Sequence, residues 1–226
     1  MNMAPVGAEN LSAQAQQAIR DLLLALIESK HFIGFQYASW CVCGPSVEAD
    51  IALANMAQEE VGHAMVLSGL LGDDSERGVL NKDTLVTWNT WPAQSAESGS
   101  PKMIESWPEM IVTCLAREAA VSAALEALRL SSYARLAQRA TKMIQEEQFH
   151  LMFGIETART FGTMPREARL GLAADYQRAL GEAEARLAAV EHLSRLSSLG
   201  VLGPEAGGVR AEYLHGVTQR LDAAWG

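Results

Sequence analysis

An all-α fold built from long antiparallel helices follows from three observations on the sequence. Apolar residues recur at helical spacing through most of the chain. Gly, Pro and Ser residues cut that pattern into long segments, several of which open on a good N-cap. No period-two alternation of the kind that marks a strand occurs, and no low-complexity segment does.

Taken in order, a first helix is predicted over 10–43, with Leu24, Glu28, Phe32 and Phe35 sharing one face. Cys43-Gly44-Pro45-Ser46 breaks it, and Ser46 caps a second helix over 46–71 that stops at Gly72-Asp73-Asp74. Residues 73–105 are polar and irregular and carry Trp88 and Trp91. A connection of that length in a compact domain is expected to be a lid, a partner surface or a disordered linker. Ser106-Trp107-Pro108-Glu109 reads as a capping box with Pro in the first turn and opens a third helix to about residue 130. A fourth runs over 132–161 and ends at Gly162, and a fifth, rich in Ala and Glu, follows Pro165 to about residue 198. Gly200, Gly203, Pro204 and Gly207-Gly208 precede a last amphipathic helix over 209–224. Short turns near 44 and 132 with one long crossover describe a ferritin-like four-helix bundle with extra C-terminal helices. All 226 residues are expected to form one domain, with 73–105 as crossover and 204–226 as C-terminal extension.

Two hexapeptides carry the chemistry: Glu59-Glu60-Val61-Gly62-His63 with its preceding Gln58, and Gln145-Glu146-Glu147-Gln148-Phe149-His150. Glu60 and His63, like Glu147 and His150, stand three residues apart, so on a helix each pair leaves one face and can share a ligand. Each pair also lies in an apolar stripe, Leu53, Met56 and Leu67 around one, Leu136, Met143 and Gly154 around the other. A carboxylate facing a dry core costs several kcal/mol unless a positive charge meets it, so two such faces call for a shared cation. Partner helices would each add one carboxylate. Reflecting Glu60 through the turn at Gly44 lands on Glu28, and reflecting Glu147 through the turn at Ser131-Ser132 lands on Glu118. Glu28, Glu60, His63, Glu118, Glu147 and His150 then form the four-Glu, two-His set of a bundle-core di-iron or di-manganese site.

Composition narrows the function further. A net charge of −9 without a basic cluster excludes a nucleic-acid footprint. Three cysteines, an odd number, fit reduced thiols in the cytoplasm rather than a disulfide framework. Cys41-Val42-Cys43 lacks the paired spacing of a zinc motif. No apolar run approaches the length of a membrane span, so a soluble cytoplasmic protein without membrane partners is expected.

The segments Tyr37-Ala38-Ser39-Trp40-Cys41 and Asp50 to Ala64, together with Ser131-Ser132-Tyr133-Ala134-Arg135-Leu136-Ala137 and Glu146 to His150, resemble the phenylacetic acid catabolism family. That family includes the di-iron catalytic subunit of phenylacetyl-coenzyme A epoxidase and its structural sister subunit. With both Glu-x-x-His pairs whole, the catalytic type is the closer match. The resemblance implies two iron ions, with manganese as the alternative, bridged by Glu60 and Glu147. It assigns one ion to His63 and the other to His150, with Glu28 and Glu118 as terminal carboxylates. It further implies a monooxygenase that passes oxygen from dioxygen to a small acyl or aromatic substrate, coenzyme A-linked in the relatives. An external reductase would supply electrons, since no flavin or dinucleotide fingerprint is present. A homo- or hetero-oligomer is expected. No coenzyme A-binding pattern matches, and lysines are few: Lys30, Lys82, Lys102 and Lys142.

Secondary candidates read as structural or neighbouring residues. His31 makes a third Glu-x-x-His with Glu28, but its neighbours do not repeat the motif. Ser122, one turn beyond Glu118, either faces the oxygen pocket or bonds its own helix. Glu126 shares Glu118's face but misses the reflection. Glu59 and Glu146 are solvated or support the ligands, and His192 and His215 lie outside the hairpins. Two rival functions stand beside the oxygenase. One is a ferroxidase or iron-storage protein, which hundreds of irons per assembly would mark. The other is a non-catalytic partner subunit of a multicomponent oxygenase.

Overall fold

The computed structural model describes residues 10–71 and 104–225. The predicted crossover at 73–105, with Trp88, Trp91, Lys82 and Lys102, therefore falls outside the described residues save for its last two positions. Among the described residues the chain is all helix, with no strand, and it forms the ferritin-like bundle with added C-terminal helices. No described helix is long and apolar enough to cross a membrane.

The helices are α1 (Ala13–Trp40), α2 (Val47–Ser68), α3 (Trp107–Leu128), α4 (Ala134–Thr160), α5 (Arg166–Leu187), α6 (Ala189–Ser198) and α7 (Ala206–Trp225). Local chemistry sets most of their starts. Ser12, Ser46 and Ser106 cap α1, α2 and α3, each hydroxyl accepting from the N–H three residues on. At α3 the Glu109 carboxylate reaches back to accept from the Glu105 N–H at 3.0 Å, closing a capping box one residue wider than the usual form. Glu48 and Asp50 in the first turn of α2 face the positive end of its dipole. Asp50 also accepts from the Gly44 N–H at 2.9 Å, and a Cβ on Gly44 would stand only 2.7 Å from that carboxylate oxygen. The breaker between α1 and α2 is thus a glycine for steric reasons.

α1 pairs with α2 and α3 with α4, giving the two expected hairpins. α3 is the axis of the molecule: it touches α1, α4, α5, α6 and α7, and nearly all its residues are buried. Its run of Ala, Val and Leu is apolar on every side, as a helix wrapped on every side must be. Each hairpin also contains a close helix approach at a glycine. A Cβ on Gly34 would lie 3.1 Å from the Glu60 Cβ, and one on Gly154 would lie 3.0 Å from Leu115 Cδ1.

The C-terminal third differs from expectation. The fifth helix predicted to run to 198 breaks at Ala188, which adopts a left-handed conformation (φ 43°, ψ 37°) and separates α5 from α6. The segment after α6 then ties back to the second hairpin. The Ser132 N–H donates to the Val201 carbonyl at 2.9 Å, and the Ser132 hydroxyl donates to the same oxygen at 3.2 Å. α7 packs against α3 and α4, and the Trp225 indole N–H donates to the Ala158 carbonyl at 2.9 Å.

Candidate metal centre

Glu60 and His63 on α2, Glu118 on α3, and Glu147 and His150 on α4 all turn inward and are buried. The structure therefore brings together five of the six residues the sequence nominates. Ligand atoms of Glu60, Glu118, Glu147 and His150 lie within 4.8 Å of one another. His63 flanks them, its Nδ1 2.9 Å from Glu147 Oε1 and 3.6 Å from Glu60 Oε1.

The sixth residue is a correction. Glu28 is not in the centre: its side chain is 46% exposed and accepts from Arg186 on α5 at 3.2 Å. The first-helix residue that enters instead is Lys30, fully buried. Its Nζ stands 2.8 Å from Glu60 Oε1, in contact with Glu147 Oε1, and 3.6 Å from Glu118 Oε2. Two residues apart on a helix, positions 28 and 30 point to nearly opposite sides, so only one of them can face the core.

Two features misled the reflection. Gly34, not Glu28, lies opposite Glu60, so the 41–46 connection is not a symmetric turn about Gly44. And α1 has two apolar stripes. The one that carries Glu28 and Phe32 looks toward α5, from which Arg186 reaches both residues, while the Arg117 guanidinium of α3 covers the Phe32 ring at 4.2 Å; the core stripe is Leu22, Leu23, Leu26, Ile27, Lys30, Ile33 and Tyr37. A lone lysine in that second stripe, at i+4 from Leu26, was the signal available in the sequence.

The two motifs exchange supports. His63 Nε2 on α2 meets Glu146 Oε2 of α4 at 2.7 Å, and His150 Nε2 on α4 meets Glu59 Oε2 of α2 at 2.7 Å. Each Glu-Glu-x-x-His thus sends its second Glu inward and its first Glu across to the other motif's imidazole. With Nε2 held from outside, Nδ1 of each ring is aimed into the carboxylates: that of His150 is 3.1 Å from Glu118 Oε1 and 3.3 Å from Glu60 Oε1. Tyr37, also unforeseen, donates its hydroxyl to Glu118 Oε1 at 3.0 Å.

Electrostatics follow from the packing. Burial opposes charge on Lys30, but the Glu147, Glu60 and Glu118 carboxylates outweigh it and hold the ammonium more firmly protonated than in water. Burial likewise opposes charge on both histidines. Contacts with Glu147 and Glu60 lift His63 to about 10, and Glu118 foremost lifts His150 to about 12. Burial, with Glu60 and Glu147 nearby, pushes Glu118 up. Glu147 is buried too, yet Lys30 and the two imidazoles keep it well below the ordinary carboxylate range.

This donor set fits a metal ion. Glu60 Oε2, Glu118 Oε2 and Glu147 Oε2 are buried and make no hydrogen bond among the described residues, which is costly for groups of this polarity. Oxygen and imidazole donors suit iron, manganese or zinc, and imidazoles steadied by outer carboxylates are the usual support of a metal-bound histidine.

The remaining candidates are not among the grouped ligand atoms. Ser122 is buried on α3, Glu126 pairs with Arg129 at 2.7 Å, and His31 is half-buried on α1. A cleft of about 550 Å3 between the start of α1, Leu70-Leu71 and Tyr133 includes no residue of the centre.

Fold and site together define an all-α bundle protein with a buried carboxylate–histidine cluster able to hold metal. Over residues 3–220, nearly its whole length, the sequence matches the phenylacetic acid catabolic protein family, and the chain belongs to that family. No curated protein matches it.

Proposed function

We propose that this protein is a metal-dependent oxygenase that hydroxylates or epoxidises a small acyl or aromatic substrate, a coenzyme A thioester being one candidate form. The reading rests on membership of the phenylacetic acid catabolic family and above all on the crossed pairing of His63 with Glu146 and His150 with Glu59. That pairing fixes each ring so that its inner nitrogen faces the buried carboxylates, an orientation a metal ligand needs and a core histidine does not. Glu60, His63, Glu118, Glu147 and His150 would hold the metal, iron by the family's precedent, which when bound supplies dioxygen activation. Tyr37 steadies Glu118, and complete burial of the three carboxylates keeps bulk water from the reacting site. Electrons would come from a separate reductase.

The test is anaerobic loading with Fe(II), removal of free metal, and exposure to 18O-labelled dioxygen with a chemical reductant and candidate aromatic acyl thioesters. A product heavier by one labelled oxygen atom is expected. Protein that retains no iron, or that consumes dioxygen without labelling any product, would count against the reading.

A second reading has one observation in its favour. Lys30 offers the carboxylates a cation built into the chain, so the bundle can close without metal, as a non-catalytic partner subunit of a multicomponent oxygenase would require. A stable metal-free protein that forms a stoichiometric complex with an oxygenase subunit would favour it.

A further inference from the structure

We infer that this centre takes one divalent cation rather than two, the Lys30 ammonium standing as its second positive charge. The inference rests on the proposed metal-binding reading of the same site.

Position comes first. Lys30 Nζ lies against Glu147 Oε1, 2.8 Å from Glu60 Oε1 and 3.6 Å from Glu118 Oε2. One oxygen of each of the centre's three carboxylates is thereby turned toward an ammonium, and those are oxygens a second ion would need. No carboxylate on α1 restores the balance, because every buried residue of that helix other than Lys30 is uncharged. Glu28 stays with Arg186 on the outside.

Charge points the same way. With both imidazoles neutral, as metal ligands must be, the centre's three carboxylates less one ammonium leave two negative charges, which a single divalent ion cancels. A second divalent ion would leave the same excess with positive sign in a core without solvent, where an uncompensated charge is strongly disfavoured. Glu59 and Glu146 do not change this count, since their side chains are 44% and 41% exposed and their charge is met by water.

The donors left over also number what one ion uses. Glu60 and Glu147 each keep a second oxygen free of hydrogen bonds, Glu118 keeps only Oε2 free because Oε1 accepts from Tyr37, and His150 joins these three in the compact group whose ligand atoms lie within 4.8 Å. Donors about 2.1 Å from one ion stand no more than about 4.2 Å apart, so the group closes on a single ion with shifts of a few tenths of an ångström. His63, on the side of Glu147 and Lys30, is the remaining donor.

Metal content and spin coupling test this without reference to turnover. Wild-type protein is loaded with excess Mn(II), desalted, assayed for metal by mass spectrometry, and examined by electron paramagnetic resonance. About one ion per chain is expected, with the six-line signal of an isolated Mn(II). Lys30→Glu supplies a fourth carboxylate and is expected to take about two ions and show an exchange-coupled signal. Two coupled ions in the wild type would overturn the inference and leave the metal-binding reading standing. No metal in the wild type but metal in Lys30→Ala would overturn it in favour of a lysine that replaces metal altogether. No metal in the wild type or in either variant would remove both readings. Should Lys30→Glu fail to fold, the wild-type count and signal decide alone.

Discussion

The ammonium of Lys30 lies 2.8 Å from Glu60 in the interior of the bundle, with no solvent exposure on either side chain. Breaking a buried charge pair by removing one partner is far costlier than never having had it. Lys30→Met, similar in length and apolar, should therefore destabilise the metal-free protein by about 3–5 kcal/mol. Divalent metal should shrink that loss, since it neutralises the stranded carboxylates in the native state. Denaturant midpoints of the two proteins with and without Mn(II) check both parts. Equal midpoints without metal would mean the three carboxylates are not interacting with Lys30 in solution.

Glu28 offers the converse. Its contact with Arg186 joins two half-exposed side chains, a pair worth at most about 1 kcal/mol. Glu28→Ala should leave metal content unchanged and lower stability by less than about 1 kcal/mol. Loss of a metal ion from that variant would restore Glu28 as a ligand.

Gly34 sits where α1 packs tightly against α2 beside Glu60. Any larger side chain must push against Glu60 Cβ at 3.1 Å and the Ala57 carbonyl at 3.2 Å. Gly34→Val should cost about 1–3 kcal/mol as overpacking and displace Glu60 enough to weaken metal binding. Titration with Mn(II) and thermal melting measure the two effects. An unchanged affinity would show that α1 can move without carrying Glu60 along.

His31 supplies a pH dependence away from the centre. Burial lowers its pKa below the ordinary 6.5. The unfolded chain then binds a proton more readily than the folded one, so this contribution to stability is fully present above about 6.5 and is lost as pH falls through the folded value. Between pH 7 and pH 5 the melting temperature of the wild type should therefore fall relative to that of His31→Gln, the raised histidines of the centre adding the same opposite slope to both proteins. Identical slopes in the two proteins would remove His31 as the cause.

The three thiols should react in a set order. Cys43 is exposed, while burial raises the pKa of Cys41 and lifts that of Cys114 to about 12. Because the thiolate is the reactive form, a thiol-specific reagent should modify Cys43 first and Cys114 only on unfolding. Rapid modification of Cys114 in native protein would reveal opening of α3 from its neighbours.

What the sequence disclosed was whatever depends on neighbours along the chain. The serine caps, the capping box at Ser106 and the two Glu-x-x-His faces are local chemistry, and each stands where its spacing put it. Glu118 was legible because it stands in the buried run of α3 at the level of Glu147. Glu28 was misread because the α1–α2 connection is not symmetric about Gly44, and because a stripe that packs toward α5 looks in sequence like one that faces the core. The break at Ala188 had no Gly or Pro to announce it. Lys30 was hidden by a general rule: lysines are almost never fully buried, except when paired, and its partners lie on three other helices.

The latch between Ser132 and Val201 and the bond from Trp225 to Ala158 span separations of 69 and 67 residues. Such closures are slow to find, because the loop entropy is lost before any contact repays it, whereas the two hairpins can collapse from near neighbours. During synthesis the hairpins would emerge first, with the flank of α3 that α7 covers still bare. α7 is therefore a late clasp: until it shuts, a nascent chain exposes an alanine-rich, sticky groove, and that interval is when this protein most needs a chaperone.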